Sequence, residues 1–166
     1  MSSAFYIFLH IFLSASGHTE RGVMCMKDIE LLQYVHKTAE MGIKGLEDVE
    51  GQIREEPLRE AVGRQVAEYR KISHKAGELL RSHGEEPEDP GIMARVSSEV
   101  MSRAKTFPGA DPSKIAEMVI QGNTMGITKG IKHLNDYAGD DRQVKALAQQ
   151  LIATEQDNVE QMKRFL

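Results

Sequence analysis

Three glycines, Gly122, Gly126 and Gly130, recur at every fourth position within a stretch, Asp111 to Tyr137, whose other signals read as helix. Asp111 is suited to cap the helix, and Pro112 takes the first helical position, where a missing N–H costs nothing. Residues four apart share one side of a helix, so the glycines form a smooth strip. Each costs about 1 kcal/mol relative to alanine inside a helix. Three on one stripe therefore predict a neighbouring backbone packed close against them, with Met118, Val119, Met125, Ile127 and Leu134 flanking the contact. In a membrane segment this spacing would argue for helix dimerisation, but Gln121, Asn123, Lys129 and Lys132 make the helix a water-facing one.

The rest of the chain supplies partners for it. Apolar residues at threes and fours predict a first amphipathic helix from Lys27 to about Ile53, on Ile29, Leu32, Val35, Ala39, Ile43, Leu46, Val49 and Ile53. Glu55-Glu56-Pro57 signals a second start, and Leu58, Ala61, Val62, Tyr69, Ile72, Ala76, Leu79 and Leu80 carry the period to about His83. The short link makes the two helices an antiparallel hairpin. Gly84 to Asp89 reads as a helix stop and polar loop, and Pro90 to about Lys105 as a shorter crossover helix. After Tyr137 a tight link leads to a last helix from about Asp141, on Val144, Ala148, Leu151, Val159, Met162 and Phe165. The hairpins echo one another: Met41-Gly42-Ile43 returns as Met125-Gly126-Ile127, and Ala67-Glu68 aligns with Thr154-Glu155.

At 166 residues, with no Trp and 5% aromatics, the chain has the size of one domain and a helical composition. A net charge of -4 with mixed signs gives no basic face for nucleic acid. The single cysteine, Cys25, excludes an internal disulfide and a cysteine zinc site. Residues 1–25 stand apart as a non-domain extension, leaving 26–166 as the bundle domain. Ala4 to Leu13 is an apolar run followed by small residues, as in a short secretory signal, yet no Lys or Arg precedes it and it is too short to span a bilayer. The preferred reading is a mis-assigned start with the native chain beginning at Met26, which makes the protein cytoplasmic. The alternative is a true signal or anchor in residues 1–23 and a secreted protein.

Aligning the helices on their apolar stripes turns a few polar residues onto the seam: Gln65 and Glu68 in the second helix, Glu155 and Asn158 in the last. Glu40 and Glu47 lie about one turn to either side of that level. Here the chain resembles the ferritin-like family, an all-α four-helix bundle of two antiparallel hairpins with a crossover. The resemblance covers about Met26 to Leu166. In di-iron members two helices give one Glu each and two give Glu-x-x-His, because i and i+3 reach the same metal pair. This chain offers Glu68-Tyr69-Arg70-Lys71 and Glu155-Gln156-Asp157-Asn158, with Lys71 and Asn158 in place of both histidines and Gly122, Asn123 and Gly126 where the third helix would carry Glu.

Two functional expectations follow. The first is a non-enzymatic, ferritin-like bundle without cofactor, acting through its surface or as a homo-oligomer; Glu68 and Glu155 would then lie at the seam edge, reaching water or Lys44, Lys71 or Lys129. The second is a weak metal-binding or oxidoreductase-type relative, holding iron or another divalent metal on Glu68, Glu155 and Asn158, with Glu40 or Glu47. His36, His74, His83 and His133 lack the i, i+4 spacing of a helical zinc motif and read as partly exposed. Ser97, Ser98 and Ser102 lack a His and acid pattern for nucleophilic catalysis, and no glycine-rich phosphate loop is present.

Overall fold

A computed structural model of the chain describes the backbone over residues 4–91 and 111–166 and side chains from residue 27 onward within those spans. Four helices are present among the described residues: α1 (Ala4–Glu50), α2 (Glu56–Ser82), α3 (Pro112–Asp136) and α4 (Arg142–Lys163), with no strand. The backbone of α1 is helical from Ala4, without the start expected near Lys27. The expected crossover helix, Pro90 to Lys105, falls almost wholly outside the described residues.

Local chemistry fixes the ends. Asp111 accepts a hydrogen bond from Ser113 N (3.2 Å), and Asp141 accepts from Gln143 N (2.7 Å) and Val144 N (3.2 Å). Each thereby satisfies amides that the first helical turn leaves without partners. At the end of α2, Gly84 takes φ 81°, a left-handed conformation that favours glycine. Its N–H bonds Arg81 O and that of Glu85 bonds Leu80 O, both at 3.0 Å, closing the helix.

Contacts between helix ends set the topology. The α2 end reaches the start of α4 through His83 and Asp141, 3.9 Å apart, while Tyr137, just after α3, hydrogen-bonds Asp28 of α1. One end of the bundle thus holds the Asp28 region of α1, the end of α2, the end of α3 and the start of α4. The order is up, down, down, up, and residues 83–111 connect opposite ends. Their first part lies on α1, where Gln33 donates to Glu86 O (2.8 Å) and accepts from Glu88 N (2.9 Å).

The core is largely the predicted one, with Ile29, Val159 and Phe165 only partly buried at its edge. Leu32, Val35, Ala39, Leu58, Ala61, Val62, Ala76, Leu80, Ala116 and Val144 are nearly or completely removed from water, and the cluster runs the length of the bundle. Burying a Leu- or Val-sized side chain is worth about 1.5–3 kcal/mol. That term, repeated along four seams, holds the helices together. Among the described residues no helix is long and apolar enough to cross a membrane.

Candidate functional site: a polar layer beneath a cleft between α1 and α3

Halfway along the bundle the apolar core is interrupted. Gln65, Asn123, Glu155 and Asn158 are all at least 95% removed from water, as is the Tyr69 side chain among them. Tyr69 donates its hydroxyl hydrogen to Asn123 Oδ1 at 2.9 Å, with Glu155 Oε1 at 3.4 Å on its other side. Asn158 Nδ2 donates to the same Asn123 oxygen (3.2 Å), and Asn123 Nδ2 donates to Val119 O (2.8 Å). Gln65 Nε2 reaches Asn158 O at 3.4 Å. The layer ties α2, α3 and α4 together, and α1 joins through Tyr34, whose hydroxyl points to Gly126 O at 3.5 Å.

Glu155 is the strained member. It is 2% exposed, and among the described residues its Oε2 has no hydrogen-bond partner and no salt bridge includes it. Burial raises its pKa from 4.5 to about 8, opposed only by the Tyr69 hydroxyl. Burial also pushes Tyr34 up to about 12 and Tyr69 well above the ordinary tyrosine value, each reinforced by the nearby Glu155 carboxyl. Near neutral pH Glu155 is therefore mostly an uncharged acid.

The glycines make room for these side chains. A Cβ on Gly126 would stand 2.5 Å from Glu155 Cδ, and one on Gly130 would stand 2.9 Å from Ile152 Cγ1. Gly122 differs: a Cβ there meets nothing within 4 Å, and the residue is exposed. The expected close approach of a neighbouring backbone is corrected: side chains, chiefly Glu155 and Ile152 of α4, fill the space at Gly126 and Gly130, and nothing fills it at Gly122. Four-residue steps advance about 40° beyond a full turn on a 3.6-residue helix, so Gly122 has rotated off the α4 contact.

Gly122 instead borders a cleft of about 230 Å³ between α1 and α3. Its walls are mainly apolar, including Met41, Leu46, Val49, Met118 and Val119, and Glu155, Tyr69 and Asn123 lie at its floor. Met125, 43% exposed, and Lys129 stand at its mouth.

The sequence-predicted ligands do not all converge there. Asn158 lies in the buried layer, and so does Glu155, which corrects the seam-edge position expected for it under the first reading. Glu68 lies at the seam edge, 45% exposed and paired with Lys71 at 2.7 Å, as the first expectation has it, which corrects its place among the metal ligands of the second. The inward position belongs to its neighbour Tyr69. Glu47 is 44% exposed and pairs with Arg70 at 2.6 Å, while Glu40 hydrogen-bonds Ser73, whose Oγ also lies 3.1 Å from His36 Nδ1. Among the described residues no three His, Cys, Asp or Glu side chains are grouped to hold a metal. One carboxyl group with two neutral amides does not match the donor set of a di-iron centre.

The hairpin echo is present with a shifted register. A Cβ on Gly42 would stand 2.8 Å from the Tyr69 ring, just as one on Gly126 would meet Glu155. The counterpart of Glu155 is thus Tyr69, not Glu68. Tyr34, Tyr69 and Asn123 were not singled out by sequence as site residues. The available signal was Asn123 itself, a poor helix former set between two glycines of the stripe.

The fold and site together define an all-α four-helix bundle with a buried mid-level polar layer opening into a cleft. No family model and no curated protein matches the chain. A solved structure does: "Crystal structure of DUF305 fragment from Deinococcus radiodurans" superposes with a TM-score of 0.63, at 12% identity, over 83% of this chain and 93% of that one. At that identity the likeness concerns the fold alone.

Proposed function

We propose that this chain is a non-enzymatic, ferritin-like bundle of the cytoplasm whose working element is the α1/α3 cleft, where it binds a small, largely apolar molecule. The up, down, down, up order with a lengthwise connection supports the ferritin-like assignment. One observation carries the binding reading: an apolar cleft descends to a buried carboxyl group with an oxygen that no described residue satisfies. Apolar walls with a few convergent polar groups and a perturbed pKa are the usual form of a ligand site. A nucleophile set beside a base is not found at the floor, which favours binding over turnover.

Calorimetric titration with 1-hexanol, a neutral probe with an apolar body, tests the proposal. Saturable binding is expected in the native protein and its loss in Gly122→Leu, where the new side chain enters the cleft from a position with space for it. Equal binding by both proteins, or none by the native one, would remove the cleft as the working element.

A further inference from the structure

The unsatisfied atoms of the polar layer share one chemical character. The buried side-chain atoms without partners among the described residues are all oxygens: Gln65 Oε1 and Glu155 Oε2 in the layer, the latter an acceptor once the group is ionised, and Gln161 Oε1 outside it. The hydroxyl hydrogens of Tyr34 and Tyr69 are already directed to Gly126 O and Asn123 Oδ1, and both Asn158 Nδ2 and Asn123 Nδ2 are engaged. Among the described residues the layer contains no cationic side chain. Of the three oxygens, that of Glu155 belongs to a residue lining the cleft.

We propose that the cleft takes a protonated amine carried on a short apolar body, the ammonium group reaching Glu155 and the body lying against the α1 and α3 walls. This rests on the cleft being a ligand site, as proposed above. An ammonium group brings three donors and one positive charge, so it satisfies the stranded oxygen and compensates the carboxylate together. The Tyr34 and Tyr69 rings also line the cleft and can face a cation favourably. Met41, Met118 and Val119 give the apolar body a wall of adaptable shape.

The charged and titratable groups around Glu155 fit this polarity. Tyr34 from α1 and Tyr69 from α2 remain neutral over the ordinary pH range, and His133 stacks on the far side at Tyr34, with rings 3.9 Å apart. From α3, Lys129 stands at the mouth and is exposed, so water and salt screen its charge, while the floor has no such screening. Lys129 also defines the opposing case, an anionic head held at the mouth with its tail pointing inward.

Ammonium binding requires an ionised Glu155, whose proton is held until about pH 8. The ligand must displace that proton at lower pH, so affinity is expected to fall roughly tenfold per pH unit below 8.

Titrations of the full chain with n-hexylamine hydrochloride, 1-hexanol and sodium hexanoate, at pH 6, 7 and 8, separate the outcomes. Expected are binding of hexylamine at least tenfold tighter than of hexanol at pH 8, weakening toward pH 6, and loss of that advantage in Glu155→Gln with hexanol binding retained. Retained hexanol binding also shows that the variant is folded with its cleft open. Hexanoate binding tightest, or hexylamine affinity unchanged in Glu155→Gln, would overturn the amine assignment and leave the cleft a ligand site. Binding of none of the three would overturn both.

Discussion

Gly126 of α3 and Glu155 of α4 occupy one another's space: the carboxyl carbon of Glu155 lies 2.5 Å from where a Cβ on Gly126 would be. The missing side chain on one helix is what admits the acid on the other to the centre of the bundle.

Gly126→Ala is therefore expected to destabilise the protein, and Gly122→Ala to stabilise it. Both substitutions improve helix propensity by about 1 kcal/mol. At Gly126 the new methyl must displace a buried carboxyl group, and overpacking costs about 1–3 kcal/mol, for a net loss of up to about 2 kcal/mol. At Gly122 no atom opposes it, so a gain of about 0.5–1 kcal/mol is expected. Urea unfolding of the two variants checks the difference in sign.

Stability should decline as pH rises from about 5 to 8 in a component that Glu155→Gln removes. The unfolded glutamate gives up its proton near 4.5, while the folded one keeps it to about 8. Between these values the native state binds more protons, so stability falls with pH, by at most about 1.4 kcal/mol per unit, and levels off above 8. The difference between native and Glu155→Gln unfolding free energies, measured from pH 5 to 9, isolates this component from the surface carboxylates, whose effects cancel.

Tyr69→Phe and Asn123→Ala should separate two roles in the same network. Removing the Tyr69 hydroxyl leaves Asn123 Oδ1 still bonded to Asn158, so the loss in stability is about 1 kcal/mol. It also removes the one group that lowers the Glu155 pKa, so the Glu155 titration followed by carbon NMR should move above its native midpoint. Truncating Asn123 strands the Asn158 amide and leaves the Tyr69 hydroxyl only Glu155 Oε1 at 3.4 Å, at about 1–3 kcal/mol.

Incubation with Fe(II) in air followed by desalting should leave no stoichiometric iron on the protein. The reason is the donor set: Glu155 and Asn158 share the layer with other neutral groups, while Glu68, Glu47 and Glu40 are engaged by Lys71, Arg70 and Ser73. Retained iron that is lost on Glu155→Ala would restore the metal-binding alternative.

Sequence by itself determined the four long helices apart from where α1 starts, the cap at Asp111, the stop at Gly84, and core positions such as Leu32, Val35, Ile72 and Leu151, because these follow from local hydrogen bonding and the helical period. It also brought Glu155 and Asn158 inside. What it could not resolve was rotation about each helix axis. One residue corresponds to about 100° on the wheel, so Glu68 and Tyr69 cannot both face the core, and a modest rotation of the helix decides which one does. Side-chain packing decides for Tyr69, whose ring fits over Gly42 while Glu68 turns out to Lys71. The same rotation carries Gly122 off the α4 contact and onto the cleft. That cleft, and the isolation of a lone acid at its floor, arise only when α1, α2, α3 and α4 settle together, since burial and the absence of a countercharge are properties of all four packed surfaces at once.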